Sequence, residues 1–152
     1  MLKNVKTDYY LNFVKDDPVR PHLPTFWRVQ PNREVYVLED DDTNELQAMI
    51  CVAYTNEVPK DEGELEQFST PGSSDDRLGN IAVFYTVWSY KPGSGREIVL
   101  GLAKLIKDTL PVTRFVTMSP MTEMARRFHL KNGASVLQVN STSVNYEYKF
   151  EE

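Results

Sequence analysis

The run Ile81-Ala82-Val83-Phe84-Tyr85-Thr86-Val87-Trp88 is dense in β-branched and aromatic residues and carries no charge. It leads through Tyr90-Lys91-Pro92-Gly93-Ser94-Gly95-Arg96 into Ile98, Val99, Leu102, Leu105 and Ile106, which recur at helical spacing. A strand that enters a helix through glycines constrains this chain more than any other feature. The helix start leaves backbone N–H groups unpaired and puts the positive end of the helix dipole in the turn. Such a turn favours an anion, typically a phosphate. Gly93 and Gly95 have no Cβ, so the backbone can turn tightly and approach a ligand closely.

The 152 residues suit a single domain, 1–152, with a core that needs neither metal nor disulfide. The lone cysteine, Cys51, lies in an apolar run and reads as a small buried hydrophobe; no intrachain disulfide is possible. With no signal-peptide pattern in Met1 to Lys6 and no membrane-length apolar stretch, a cytoplasmic location is expected. The net charge of −5 argues against nucleic-acid binding through a broad basic surface. It leaves room for a local basic pocket. The acidic turn Asp40-Asp41-Asp42-Thr43-Asn44 lacks the glycine and closing glutamate of an EF-hand, so no metal site is expected there.

Residues 8–15 read as a short helix with Tyr10, Phe13 and Val14 on one side, after which Pro18, Pro21 and Pro24 forbid regular structure. Glu34 to Glu39 and Leu46 to Tyr54 read as a hairpin about the acidic turn, and 56–79 as a long acidic loop. Strand 80–88, helix 94–109 ended by Pro111, and strand 114–118 form a βαβ crossover, which is expected to be right-handed. A second helix is predicted from Pro120 to Asn132, with Ser119 as cap, Pro120 in its first position and Gly133 just past its end. Two further strands, 135–139 and 144–150, make a closing hairpin. The whole is a mixed α/β pattern: a largely antiparallel sheet with one central βαβ crossover, flanked by helices.

This order, with its glycine turn, resembles the GNAT superfamily of acyl-CoA-dependent N-acyltransferases. The motif Gln/Arg-x-x-Gly-x-Gly/Ala is met by Gly93 and Gly95, with Tyr90 in the first position and Lys91 beside it. The family's Asn-x-x-Ala-x-x-x-Tyr and Gly-Phe fall on 122–129 and 133–134: Ala125 and Gly133 match, while Thr122, His129 and Ala134 depart. The resemblance implies that Tyr85, Thr86 and Val87 line the pantetheine arm. It also implies that Lys91, Gly93, Ser94, Gly95 and Arg96 hold the pyrophosphate of acetyl-CoA or another acyl-CoA. It puts His129 in place of the tyrosine that protonates the leaving thiolate. The strands on either side of the crossover should then splay near the turn and leave a cleft.

The implied activity is acyl transfer to an amine by direct attack, because Cys51 has no visible activating neighbour. The departures at Tyr90, Thr122 and His129 sustain a different reading, an inactive GNAT-fold module acting in interaction or regulation. Thr117-Met118-Ser119-Pro120 also resembles the Leu-Ser-Pro segment of malonyl-CoA decarboxylases, which sustains a third. His129 lies on the edge of the stripe Met121, Met124, Ala125 and Phe128, where a packing role competes with an acid role. Arg126-Arg127 reads as a solvated face. The acidic 57–76 stretch points to a cationic acceptor as readily as to simple solvation. The acceptor amine and the oligomeric state carry no signature in the chain.

Overall fold

A computed structural model describes residues 1–6, 9–71 and 79–150. Its strands are β1 (Leu2–Val5), β2 (Arg33–Glu39), β3 (Leu46–Thr55), β4 (Ile81–Ser89), β5 (Arg114–Thr117), β6 (Ser135–Val139) and β7 (Val144–Tyr148). They form one sheet in the order β1-β2-β3-β4-β5-β7-β6. Only β4 and β5 run parallel; every other neighbouring pair is antiparallel. The helices are α1 (Thr25–Arg28), α2 (Glu62–Ser69), α3 (Ser94–Thr109) and α4 (Glu123–Lys131), with a 3-10 helix over Tyr9–Asp16.

Two cores sandwich the sheet. On one face α3 buries Ile98, Val99, Leu102, Ala103 and Ile106 against Ile50, Val52, Phe84 and Phe115, with Phe128 of α4 at the margin. Each large apolar side chain buried this way contributes about 1.5–3 kcal/mol. Leu105, read as part of that stripe, is instead exposed at 39 %. On the other face Leu11, Val14 and Leu65 cover Val37, Met49, Cys51, Val83 and Tyr85, with Trp27 packed at the edge.

Five elements differ from the sequence reading, one of them α1, a single helical turn in a segment read as irregular. The first is β1, four residues too short for its periodicity to show, which pairs with β2. The helix read over 8–15 is a 3-10 helix, Tyr9–Asp16, and residue 8 lies outside the described residues. Within the segment read as loop 56–79, α2 forms because Asp61 caps it, its carboxylate accepting from the Glu64 N–H. Residues 72–78 of that segment lie outside the described residues. Finally, α4 begins at Glu123 with Thr122 as cap, its Oγ1 accepting from the Ala125 N–H at 3.2 Å. Ser119 stands four residues before the helix, its N–H and C=O paired with Val144 in extension of the sheet and its hydroxyl bonded to Thr117. Gly133 follows the helix end at φ +102°, the left-handed geometry glycine tolerates.

Candidate functional site

The pairing of β4 with β5 runs from Ile81↔Arg114 to Phe84↔Thr117 and closes with the Met118 N–H on the Phe84 carbonyl at 3.3 Å. Beyond that point β4 continues for five residues, Tyr85–Ser89, along which it keeps only β3 as a neighbour. A register shift between Cys51 and Val52 leaves Tyr85 as the extra residue of a bulge, which bends β4 where its parallel partner stops. Where the parallel pairing stops a cleft begins between the two strands, its first carbonyls, those of Tyr85 and Met118, taken by the Arg20 side chain. Tyr85, Thr86 and Val87 all lie on the open stretch. Their side chains serve the protein interior: Tyr85 packs edge-on to Trp27 with centroids 5.6 Å apart, and the Thr86 hydroxyl donates to Asp17 at 2.8 Å.

The open stretch of β4 runs directly into the glycine turn. Gly93 stands at φ +83° as the cap of α3 and offers no side-chain bond to the helix start. A Cβ built there would meet nothing within 4 Å. The turn is therefore left-handed by necessity and open on its outer side. Gly95 is small for another reason: a Cβ would stand 3.2 Å from the Phe128 ring, so glycine lets α4 pack close to the start of α3. Ser94 spends its hydroxyl on the carbonyls of Gln47 and Lys91, at 2.8 and 2.6 Å. Lys91 is exposed and 4.0 Å from Asp40. Arg96 is exposed and reaches Asn132 at 3.4 Å. Tyr90, at the first position of the Gln/Arg-x-x-Gly-x-Gly/Ala motif, has a fixed job: its hydroxyl accepts from Trp88 at 2.9 Å and donates to Asp16 at 2.7 Å. The turn as a whole favours an anion. It has an uncapped helix start, open space at Gly93, and two cations beside it.

The far side of the cleft is charged, and sequence reasoning missed it. Arg20 is buried, with Nη1 donating to the Tyr85 carbonyl and Nη2 to the Met118 carbonyl at 2.8 Å. Its Nε faces Glu62 at 3.3 Å without a hydrogen bond. Burial lowers its pKa, against the opposing pull of Glu62 and Asp17. Behind it lies a fully buried ion pair, Arg28 Nη1 to Asp17 Oδ2 at 2.8 Å. Arg28 also holds the Leu23 and Arg20 carbonyls, and Asp17 accepts from the Val19 and Arg20 N–H groups. The available signal was the set Asp17, Arg20 and Arg28 among three prolines, charges in a segment with no helical or strand period. Cys51 lies against this network, 3.5 Å from Arg28, and burial pushes its thiol up to about 11.

His129 lies in the core between α4 and β7. It is 5 % exposed, hydrogen-bonded through Nδ1 to the Tyr148 hydroxyl at 2.8 Å and stacked on Tyr146 with centroids 5.1 Å apart. Among the described residues nothing bonds its Nε2. Burial pulls its pKa from 6.5 to about 4, so at neutral pH the ring is uncharged. The stability gained by burying the neutral ring is complete above the unfolded pKa. It is lost as pH falls through the window from 6.5 to about 4, by on the order of 3 kcal/mol. Replacing His129 with Gln should flatten that part of the curve, measured as the difference between the two proteins' urea midpoints at pH 7.5 and 4.5. Equal pH dependence in both would contradict the buried neutral ring. Arg126 and Arg127 are exposed and sit near Glu123, at 3.8 and 3.2 Å, as a solvated face.

Among the described residues no group of His, Cys, Asp and Glu could hold a metal ion, and no helix is long and apolar enough to cross a membrane. No protein-family model matches the chain, and no curated protein matches it. Solved structures do. Malonyl-CoA decarboxylase from Agrobacterium vitis superposes with a TM-score of 0.77 at 16 % identity, over 99 % of this chain and 60 % of that one. AAC(6')-Ib, solved with ribostamycin and coenzyme A, gives 0.65 at 14 % identity, over 97 % and 92 %. The GNAT domain of S. lividans PAT gives 0.64 at 10 %, over 97 % and 88 %. This chain spans about 60 % of the length of the decarboxylase. The fold is GNAT-like, a mixed and mostly antiparallel sheet flanked by helices.

Proposed function

We propose that this chain binds an acyl-CoA and transfers its acyl group to an amine. The pyrophosphate would lie at the 93–96 turn and the pantetheine arm along the open edge of β4. The observation that supports this is one conjunction: β4 loses its parallel partner after Phe84 and then enters an uncapped helix start at Gly93. The first feature offers main-chain groups to an amide-bearing arm, the second offers N–H groups to a phosphate. Lys91 and Arg96 add attraction. Two of the solved structures with this fold have coenzyme A in their names or complexes, which is consistent with the reading. The buried, high-pKa thiol of Cys51 argues for direct attack by the neutral amine over relay through an acyl-cysteine. His129 receives a structural role here: it bonds the Tyr148 hydroxyl and stacks on Tyr146. Proton delivery to the leaving thiolate then falls to a group other than an imidazolium.

A second reading, decarboxylation of a carboxylated acyl-CoA, is favoured by one observation. Ser119 and Thr117 are both buried, and their hydroxyls are hydrogen-bonded to each other at 2.8 Å beside Met118, where the cleft opens. In that reaction the bond from the carboxylate to the α-carbon breaks, carbon dioxide leaves, and the α-carbon keeps the electron pair and takes a proton.

One assay separates the readings. The protein is incubated with acetyl-CoA and a panel of primary amines while free thiol is followed, and with malonyl-CoA alone while acetyl-CoA is followed by mass spectrometry. Amine-dependent thiol release is the expected outcome. Acetyl-CoA formed from malonyl-CoA without thiol release would replace it with decarboxylation. Binding of acetyl-CoA with neither reaction would point to the inactive module. In the first case His129→Ala should lower thermal stability and leave the transfer rate per folded molecule unchanged.

A further inference from the structure

The Tyr85 and Met118 carbonyls belong to neighbouring parallel strands just past their last shared pair, Phe84↔Thr117. In an unbroken ladder each would find a strand N–H. Here one planar guanidinium, that of Arg20, takes both. The side chain is itself anchored. Its backbone N–H donates to Asp17 at 3.0 Å, its carbonyl accepts from Arg28 at 2.7 Å, and its Nε faces Glu62. Arg20 comes from the 17–28 segment, on the layer of the sheet opposite α3. It therefore bridges the two strands where their pairing ends, from the face opposite α3.

We propose that Arg20 is a specificity-determining residue that limits the acyl group to short chains such as acetyl or propionyl. This rests on the acyl-CoA reading above. A longer chain in the cleft would have to push the guanidinium off two carbonyls. That strands three buried polar groups without partners, or lays methylenes against N–H donors that they cannot bond. A short acyl group stops before that wall.

The test is calorimetric titration of free CoA, acetyl-CoA and hexanoyl-CoA into the unmutated protein, Arg20→Lys and Arg20→Ala, with thermal unfolding of each. The unmutated protein should bind acetyl-CoA about tenfold or more tightly than hexanoyl-CoA. Arg20→Lys, which keeps a cation and donors in place, should preserve that order. Arg20→Ala, which empties the wall, should reverse it. Equal affinity of the unmutated protein for the two acyl-CoAs overturns the proposal, whether or not the alanine variant folds. Failure to bind free CoA as well as both acyl-CoAs overturns the acyl-CoA reading itself, a result distinct from lost chain-length preference.

Discussion

Replacing Asp17 with alanine is expected to cost about 3–5 kcal/mol of stability, measured by urea unfolding at neutral pH. The carboxylate and its Arg28 partner have no solvent exposure in their side chains, so alanine leaves an uncompensated buried cation. It also removes the acceptor for two backbone N–H groups and for the Thr86 hydroxyl. Breaking one half of a buried pair is costly for this reason, whatever the net worth of the intact pair. Arg28→Met in the same background should restore part of the loss by withdrawing the orphaned charge. It cannot restore all of it, because the Arg20 and Leu23 carbonyls would still lack their donor. A loss below about 1 kcal/mol would show that this network does not anchor the 17–28 segment to the sheet.

Gly93→Val should weaken binding of CoA and acetyl-CoA by more than about tenfold, or about 1.4 kcal/mol. Valine at φ +83° pays about 1–2 kcal/mol in backbone strain and occupies the open side of the turn, where the Cβ meets only empty space. The two effects part in measurement: strain lowers stability, bulk lowers affinity. Gly95→Val should weaken binding by a different path, pressing on the Phe128 ring at 3.2 Å and shifting α4 from the helix start. Gly101→Ala is the control. It lies in the same helix with nothing within 4 Å of its added Cβ, and should stabilise α3 by about 0.5–1 kcal/mol with affinity unchanged. Unaltered affinity in folded Gly93→Val would remove the turn from the binding site.

The centre of the fold was legible because its pattern is local and strong. The uncharged run 81–88, the helix 94–109 and the two hairpins each carry their own period and punctuation, and each stands within two residues of where it was read. What escaped is set by distant partners. The four residues of β1 are a strand only because β2 offers an edge. In α2 a single apolar side chain, Leu65, is buried, too few to make a period; the readable signal was Asp61 three residues before Glu64, a capping pair. Ser119 looked like a helix cap, and Val144, twenty-five residues on, claims its backbone instead. At the site the glycine turn could be read from its residues. Arg20 could not, since its meaning depends on two carbonyls contributed by strands 65 and 98 residues away.

The sheet order also fixes when this fold can be completed during synthesis. β7 is the last of its strands in sequence, yet it lies between β5 and β6 and not at an edge. Until residues 144–148 have left the ribosome, β5 has an empty flank, and Phe115 lacks Tyr148 opposite it. The βαβ unit can gather earlier, through its own short-range contacts, but it must wait with an open strand edge that invites pairing with other chains. A nascent chain arrested after Ser143 should therefore be degraded or aggregate, and release of a few more residues should convert it to the protease-resistant form.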